Sequence, residues 1–203
     1  SSRRWFDLVG LTIALGIAYF LAARLSLYLI LPDGVAVFWP AAGVSAGVLI
    51  GLGPQARLPV IVGTMVATMV ANLLGDRNIW STIVFALCNA AEPMLVSMLI
   101  ERYFGSSFSL DRPRNVIALV AAAIVATAIS GIGGALGFKL FHDSSASFLT
   151  IWHHWFASDA FGIITVAPLL IGLFAVIRDP PPLKEAIEGG VVVASVTVVS
   201  GLI

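Results

Sequence analysis

Apolar runs of about twenty residues, separated by short polar or proline-bearing breaks, recur along the whole 203-residue chain. A helix needs about 20 residues to cross about 30 Å of hydrocarbon, and the runs meet that length. No stretch shows the period-two alternation of a membrane barrel strand. The pattern therefore predicts an all-α integral membrane bundle with spans over 8–31, 41–53, 58–74, 79–100, 115–138, about 152–177 and from about 186 onward. The second span is the irregular one: its 13 residues make about 20 Å of helix, too short to cross alone. Residues 35–39 are expected to enter the membrane as irregular chain, with Pro40 opening a short helix at the position where its missing N–H matters least.

Composition agrees, with 59% hydrophobic and 11% charged residues, no formal net charge and a mean hydropathy of +1.02. That leaves too little polar surface to coat a soluble domain, and nothing resembles a nucleic-acid footprint. The single cysteine, Cys88, allows no intramolecular disulfide. Basic residues orient the bundle, because cytoplasmic loops carry the excess. Arg3, Arg4, Arg57, Arg102, Arg112, Arg114, Arg178 and Lys184 fall on one side and only Arg77 and Lys139 on the other. The N-terminus and the linker with Pro180, Pro181 and Pro182 are therefore expected in the cytoplasm, and Asp33, Asp76 and His142 in the periplasm, across a bacterial inner membrane. The chain starts at Ser1 and stops at Ile203 within an apolar run, so it reads as a fragment of a longer polypeptide.

Polar groups inside the spans point to a site, since each is costly in hydrocarbon. Counted from the predicted span ends, Arg24 and Asp159 share a depth of about 10 Å, which predicts an ion pair between them. Asn89 lies about 15 Å in and Glu92 about 20 Å in, where Glu92 is expected to be protonated or bonded to Asn89 or to another span. Asn72 closes span three. Together with Trp39, Pro40 and Trp155, these residues outline a candidate ligand cavity open toward the outer side. Its oriented N–H groups and aromatic rings suit a small polar or anionic molecule, or a lipid headgroup.

Three other patterns point elsewhere. Gly43, Ser45 and Gly47 match the G-x-S-x-G of serine hydrolases, but that elbow needs a strand before it. Gly43, Gly47 and Gly51, like Gly133 and Gly137, read instead as small-residue faces for close helix approach. His154 and Asp159 match H-x4-D, yet helical geometry sets the two side chains about 140° apart. His142, His153 and His154 are the only candidate metal or haem ligands; no cofactor is predicted.

The stretches Phe38 to Gly43, Asn89 to Glu92, and Trp152 to Gly162 with Pro168-Leu169-Leu170, in that order in a multi-span chain, resemble the MASE1 family of bacterial membrane-associated sensor domains. The resemblance covers essentially the whole of residues 1–203, with Trp39, Pro40, Asn89, Glu92, Trp155, Asp159 and Gly162 matching the family pattern. It implies a bundle of about eight spans, seven of them present here, placed before a cytoplasmic output domain such as a diguanylate cyclase, phosphodiesterase or histidine kinase. A sensory input module without catalytic activity, in contact with membrane lipid, joined in cis to its output domain and able to form a homodimer, is the expected function. The alternative is a small secondary transporter, for which the apolar inner half and the lack of an internal repeat are poor matches.

Overall fold

Among the described residues, seven α-helices form where seven apolar runs predict them. The computed structural model describes residues 2–28, 35–75, 77–105, 108–142 and 144–201. Its helices are α1 (Ser2–Leu27), α2 (Pro40–Leu52), α3 (Arg57–Leu73), α4 (Ile79–Phe104), α5 (Pro113–Phe141), α6 (Phe148–Arg178) and α7 (Leu183–Gly201). Five stretches, from α1, α3, α4, α5 and α6, are long and apolar enough to cross a membrane, whereas α2 is a shorter apolar helix. Asp33 and Asp76, expected on the outer side, lie outside the described residues.

Local sequence sets the helix ends. Asn78 and Ser147 cap α4 and α6 by accepting the Trp80 and Thr150 backbone N–H groups at 2.8 and 3.1 Å. Trp39 gives α2 no side-chain cap, but Pro40 at the first position has no N–H to satisfy. After α2 the chain turns at Gly53, whose φ of 81° suits glycine. A single 3-10 turn, Pro54–Ala56, then leads into α3.

The helices pack in the cyclic order α1, α3, α4, α5, α6, α2 and back to α1, with α2 also touching α4 across the bundle. A helix that is apolar on all sides belongs inside, and nine of the 13 residues of α2 are buried. Large apolar side chains elsewhere, including Trp5, Ile17, Leu21, Leu136 and Leu169, face outward. In hydrocarbon such exposure carries no penalty.

Packing between α2 and α6 depends on glycine. A Cβ on Gly162 would stand 2.0 Å from the Trp39 carbonyl oxygen, and one on Gly43 would stand 2.2 Å from the Gly162 carbonyl oxygen. Farther along, Gly47 lies against Ala167 and Gly51 against the Phe174 ring. Gly133 and Gly137 receive Cys88, Val84 and Phe85 of α4. Both small-residue faces expected from the sequence are therefore contact faces. Without a hydrophobic drive between helices in lipid, close backbone approach supplies the dispersion contacts that hold them.

At the basic end, Arg57 pairs with Glu101, which also accepts the Ser97 hydroxyl at 2.7 Å. Arg178 donates to the Gly51 carbonyl at 2.7 Å and so joins the end of α6 to the end of α2. Beyond it, the described side chains of α7 are exposed.

Overpacking the α2–α6 seam should be severe. We expect Gly162→Val to lose about 3 kcal/mol or to prevent folding, since backbone rather than a flexible side chain blocks the added atoms. Gly172→Val, on the same helix with nothing within 4 Å, should be neutral. Thermal unfolding of both variants in detergent provides the comparison.

Candidate functional site

Residues 35–39 cross the end of the bundle opposite its basic end, beside the α3–α4 and α5–α6 connections. Beneath them lies a cavity of about 40 Å³. Five of the residues singled out from the sequence line it: Trp39, Asn72, Asn89, Trp155 and Asp159. Arg77, Phe85, Phe138 and Ser158 complete much of the wall.

A hydrogen-bond chain fixes one side of this wall. The Trp39 indole N–H donates to the Tyr19 hydroxyl at 3.1 Å, and the Trp39 backbone N–H donates to the Ser158 carbonyl at 3.3 Å. Tyr19 in turn bonds Thr68, whose hydroxyl accepts from the Asn89 amide at 3.4 Å. Asn72 donates back to the Thr68 carbonyl at 2.9 Å. The irregular segment, α1, α3, α4 and α6 are thus tied together through polar groups that hydrocarbon would not satisfy.

Deeper in the bundle, Glu92 is 1% exposed and accepts the Ser130 hydroxyl of α5. Beside it stands Asp159 of α6, 4% exposed. The expected partner of Asp159, Arg24, is elsewhere: it donates to the Ala71 carbonyl at 3.3 Å, lies over the Tyr28 ring and does not line the cavity. Helix ends explain the correction. Helix α1 ends at Leu27 and α6 begins at Phe148, so Arg24 lies about 5 Å from its helix end and Asp159 about 16 Å. Asp159 is therefore level with Asn89 and Glu92, not with Arg24. Pro40 does not line the cavity either; it opens α2 behind Trp39. Glu92 stays out of the wall as well and meets the site through Asp159.

Three buried atoms in the wall have no hydrogen-bond partner: Asp159 Oδ2, Trp155 Nε1 and Ser158 Oγ. The Trp155 indole N–H stands near Asp159. Its ring presses on Gly134, where a Cβ would meet it at 2.4 Å, and on Phe85, with ring centroids 5.1 Å apart.

The MASE1 family profile matches residues 11–203. The chain belongs to the MASE1 family. No curated protein and no solved structure matches it. MASE1 domains are membrane-associated sensor domains, so this chain is a sensory, multi-pass membrane domain rather than an enzyme in its own right.

The two aromatic motifs behind the sequence resemblance meet in this MASE1 domain, with Trp39 resting on Ser158 and Gly162. Ser45 is completely buried and donates to the Ala41 carbonyl at 3.1 Å within its own helix, which disposes of the hydrolase pattern. Among the described residues, no three His, Cys, Asp or Glu side chains gather as metal ligands. The His153 and His154 rings are 6.0 Å apart on the first turns of α6 and do not line the cavity. His142 bonds the Ser81 hydroxyl through Nε2 at 2.9 Å and packs on Phe85 and Phe138. Arg77 lies over the same two rings, 6.0 and 5.1 Å from their centroids. Burial first, and the Arg77 charge second, hold the His142 imidazole below its usual value.

Tyr19, Thr68, Ser130 and Ser158 do not stand out in the sequence because single hydroxyls in apolar runs are common interhelical contacts, and Arg77 stands out there only as an outer-side charge. One signal was present: Thr64, Thr68 and Asn72 recur every four residues along one face of α3.

Two measurements test this geometry. Ser130→Ala removes the donor to a buried carboxyl group and should cost about 1–3 kcal/mol in thermal unfolding, with Ser130→Thr closer to wild type. Because folding lowers the His142 value, the unfolded chain binds more protons between the folded and unfolded values, so stability should rise with pH across that window. The melting temperature should fall as pH drops from about 7.5 through the unfolded value of about 6.5, and His142→Gln should flatten that fall.

Proposed function

We propose that this domain detects an external or membrane-borne cue at the Trp39–Asp159 cavity and passes it to a signalling domain attached on the cytoplasmic side, of diguanylate cyclase or histidine kinase type. One observation carries the reading: three of the buried polar atoms without partners, Asp159 Oδ2, Trp155 Nε1 and Ser158 Oγ, converge on one cavity, at the end of the bundle opposite Arg57, Arg114 and Arg178. Structural hydrogen bonds between spans satisfy their members. These groups are left open, as a site awaiting a partner is. The cavity would then open toward the periplasm, with the N-terminus and the Pro180–Pro182 linker in the cytoplasm, as the basic bias indicates.

Helix α6 suits the transmission role. It runs without interruption from the site at Trp155 and Asp159 to Arg178, and its seam with α2 ends in the Arg178 to Gly51 bond. A cue that changes the contact of Asp159 with Glu92 would tilt or slide α6 and α2 as one unit against α4 and α5. The linker would carry that displacement to α7 and onward. Transport is less well supported, because the core toward the basic end closes on the apolar side chains of Ala46, Ile50, Val96, Ile100 and Ala167.

The test is the signalling output of the full-length protein in variants that still fold. Trp39→Ala, Asp159→Asn and Glu92→Gln should each reduce the response to the cue by about tenfold or more, while Leu169→Ala, on the lipid-facing side of α6, should not. A wild-type response in all three site variants places the sensing site elsewhere. Cysteine labelling checks orientation separately: position 142 should react from outside in intact cells and position 181 should not.

A further inference from the structure

Glu92 and Asp159 bring two carboxyl groups from α4 and α6 into contact deep in the bundle. Adjacent carboxylates in a medium of low dielectric do not both stay ionised, because repulsion and desolvation act in the same direction. A carboxyl pair alone is only a polar contact. What links it to a ligand is the cavity, into whose wall Asp159 Oδ2, Trp155 Nε1 and Ser158 Oγ are built without partners. All three residues are more than nine-tenths buried.

Size narrows what can sit there. About 40 Å³ accommodates a few waters and neither an organic ligand nor a lipid headgroup. Charge narrows it further. Ionisable groups facing the pair among the described residues are Tyr19 from α1, Cys88 on α4 itself and, across the cavity, Arg77 from the α3–α4 connection. Helices α2, α3 and α5 contribute hydroxyl, amide or apolar groups there, Ser130 among them. The Arg77 guanidinium and the Trp155 N–H donor both line the cavity, and among the described residues no three His, Cys, Asp or Glu side chains gather there as metal ligands. Water able to bridge Asp159, Ser158 and Trp155 satisfies every open atom and conducts protons.

We propose that the Glu92–Asp159 pair holds an exchangeable proton, loaded and released through cavity water, and that this proton is the cue to which the domain responds. The proposal rests on the cavity being the sensing site. On loading, a cavity water gives one proton to a carboxylate oxygen and takes one from the next water toward the outer side, so one O–H bond breaks for each that forms and the pair gains a single proton from outside. With the proton, one carboxyl group donates to the other and draws α6 toward α4. Without it, like charges separate them, and α2 follows α6 through the glycine seam.

Infrared difference spectroscopy of the full-length protein in lipid nanodiscs tests this between about pH 5 and about pH 9. A protonated-carboxyl C=O band should disappear as pH rises and be lost in both Asp159→Asn and Glu92→Gln. Trp155→Phe keeps the ring and removes the N–H; it should fold and displace the midpoint by about 0.5–1 pH unit, which keeps the test open if a carboxyl variant misfolds. Output activity should follow external pH with the same midpoint. Absence of a titrating band, its survival in both carboxyl variants, or its displacement at fixed pH when sodium chloride replaces choline chloride overturns the proposal. A titrating band with pH-independent output removes the proton as the cue but leaves the cavity in place. An Asp159-dependent response to another cue, without a titrating band, keeps the cavity as the sensing site and rejects the proton.

Discussion

Backbone-to-backbone contact between the start of α2 and the middle of α6 is the constraint from which the rest of the structure follows. Gly43 and Gly162 have no side chains, so the Trp39 carbonyl can rest directly on α6 and the short helix can sit inside the bundle. A methyl group at either position would push α2 outward and take Trp39 with it. The Trp39 indole would then lose Tyr19, and the chain of polar contacts through Thr68 to Asn89 would lose its anchor.

That close approach also explains how polar groups come to lie so deep. Helix α2 is too short to span, so its irregular lead-in enters the bundle and holds a cavity open above Asp159. Below it, an apolar core packs Ala46, Ile50, Val96, Ile100 and Ala167 together. Polarity is thus concentrated toward one end, while the other is fastened by the Arg57–Glu101 pair and the Arg178 bond to Gly51. A domain arranged in this way has a polar, cavity-bearing region at one end and inter-helix polar fastenings at the other. Small changes in the first can be conveyed to the second by whole helices rather than by local rearrangement.

Intramembrane carboxyl groups are tolerated here by means other than ion pairing. Glu92 takes a hydroxyl from Ser130, and Asp159 takes the neighbourhood of Glu92 and Trp155. Arg24, the cation expected to pair with Asp159, is used at a helix end, where it bonds the Ala71 carbonyl of α3 and lies over Tyr28. A guanidinium close to a helix terminus reaches polar surroundings easily, whereas one carried to the level of Asp159 would have to give up its hydration.

The class, the seven apolar helices, the short second helix and the glycine faces were legible in local sequence, although α1 begins six residues before its predicted span and ends four before. Each of these follows from local composition and from the thickness of a bilayer, which acts on every segment separately. The sequence also marked Trp39, Asn72, Asn89, Trp155 and Asp159, because polar and aromatic groups stand out against an apolar background. Only the tertiary structure decided which of them meet. A four-residue shift in the start of α6 moves Asp159 by more than a helical turn, away from Arg24 and onto Glu92. Rotation about each helix axis then chose Ser130 and Thr68 over other hydroxyls, and the folding back of residues 35–39 brought Trp39 onto Gly162. Depth can be counted along a chain, but the azimuth of a helix and the register between two helices are set by packing against neighbours distant in sequence.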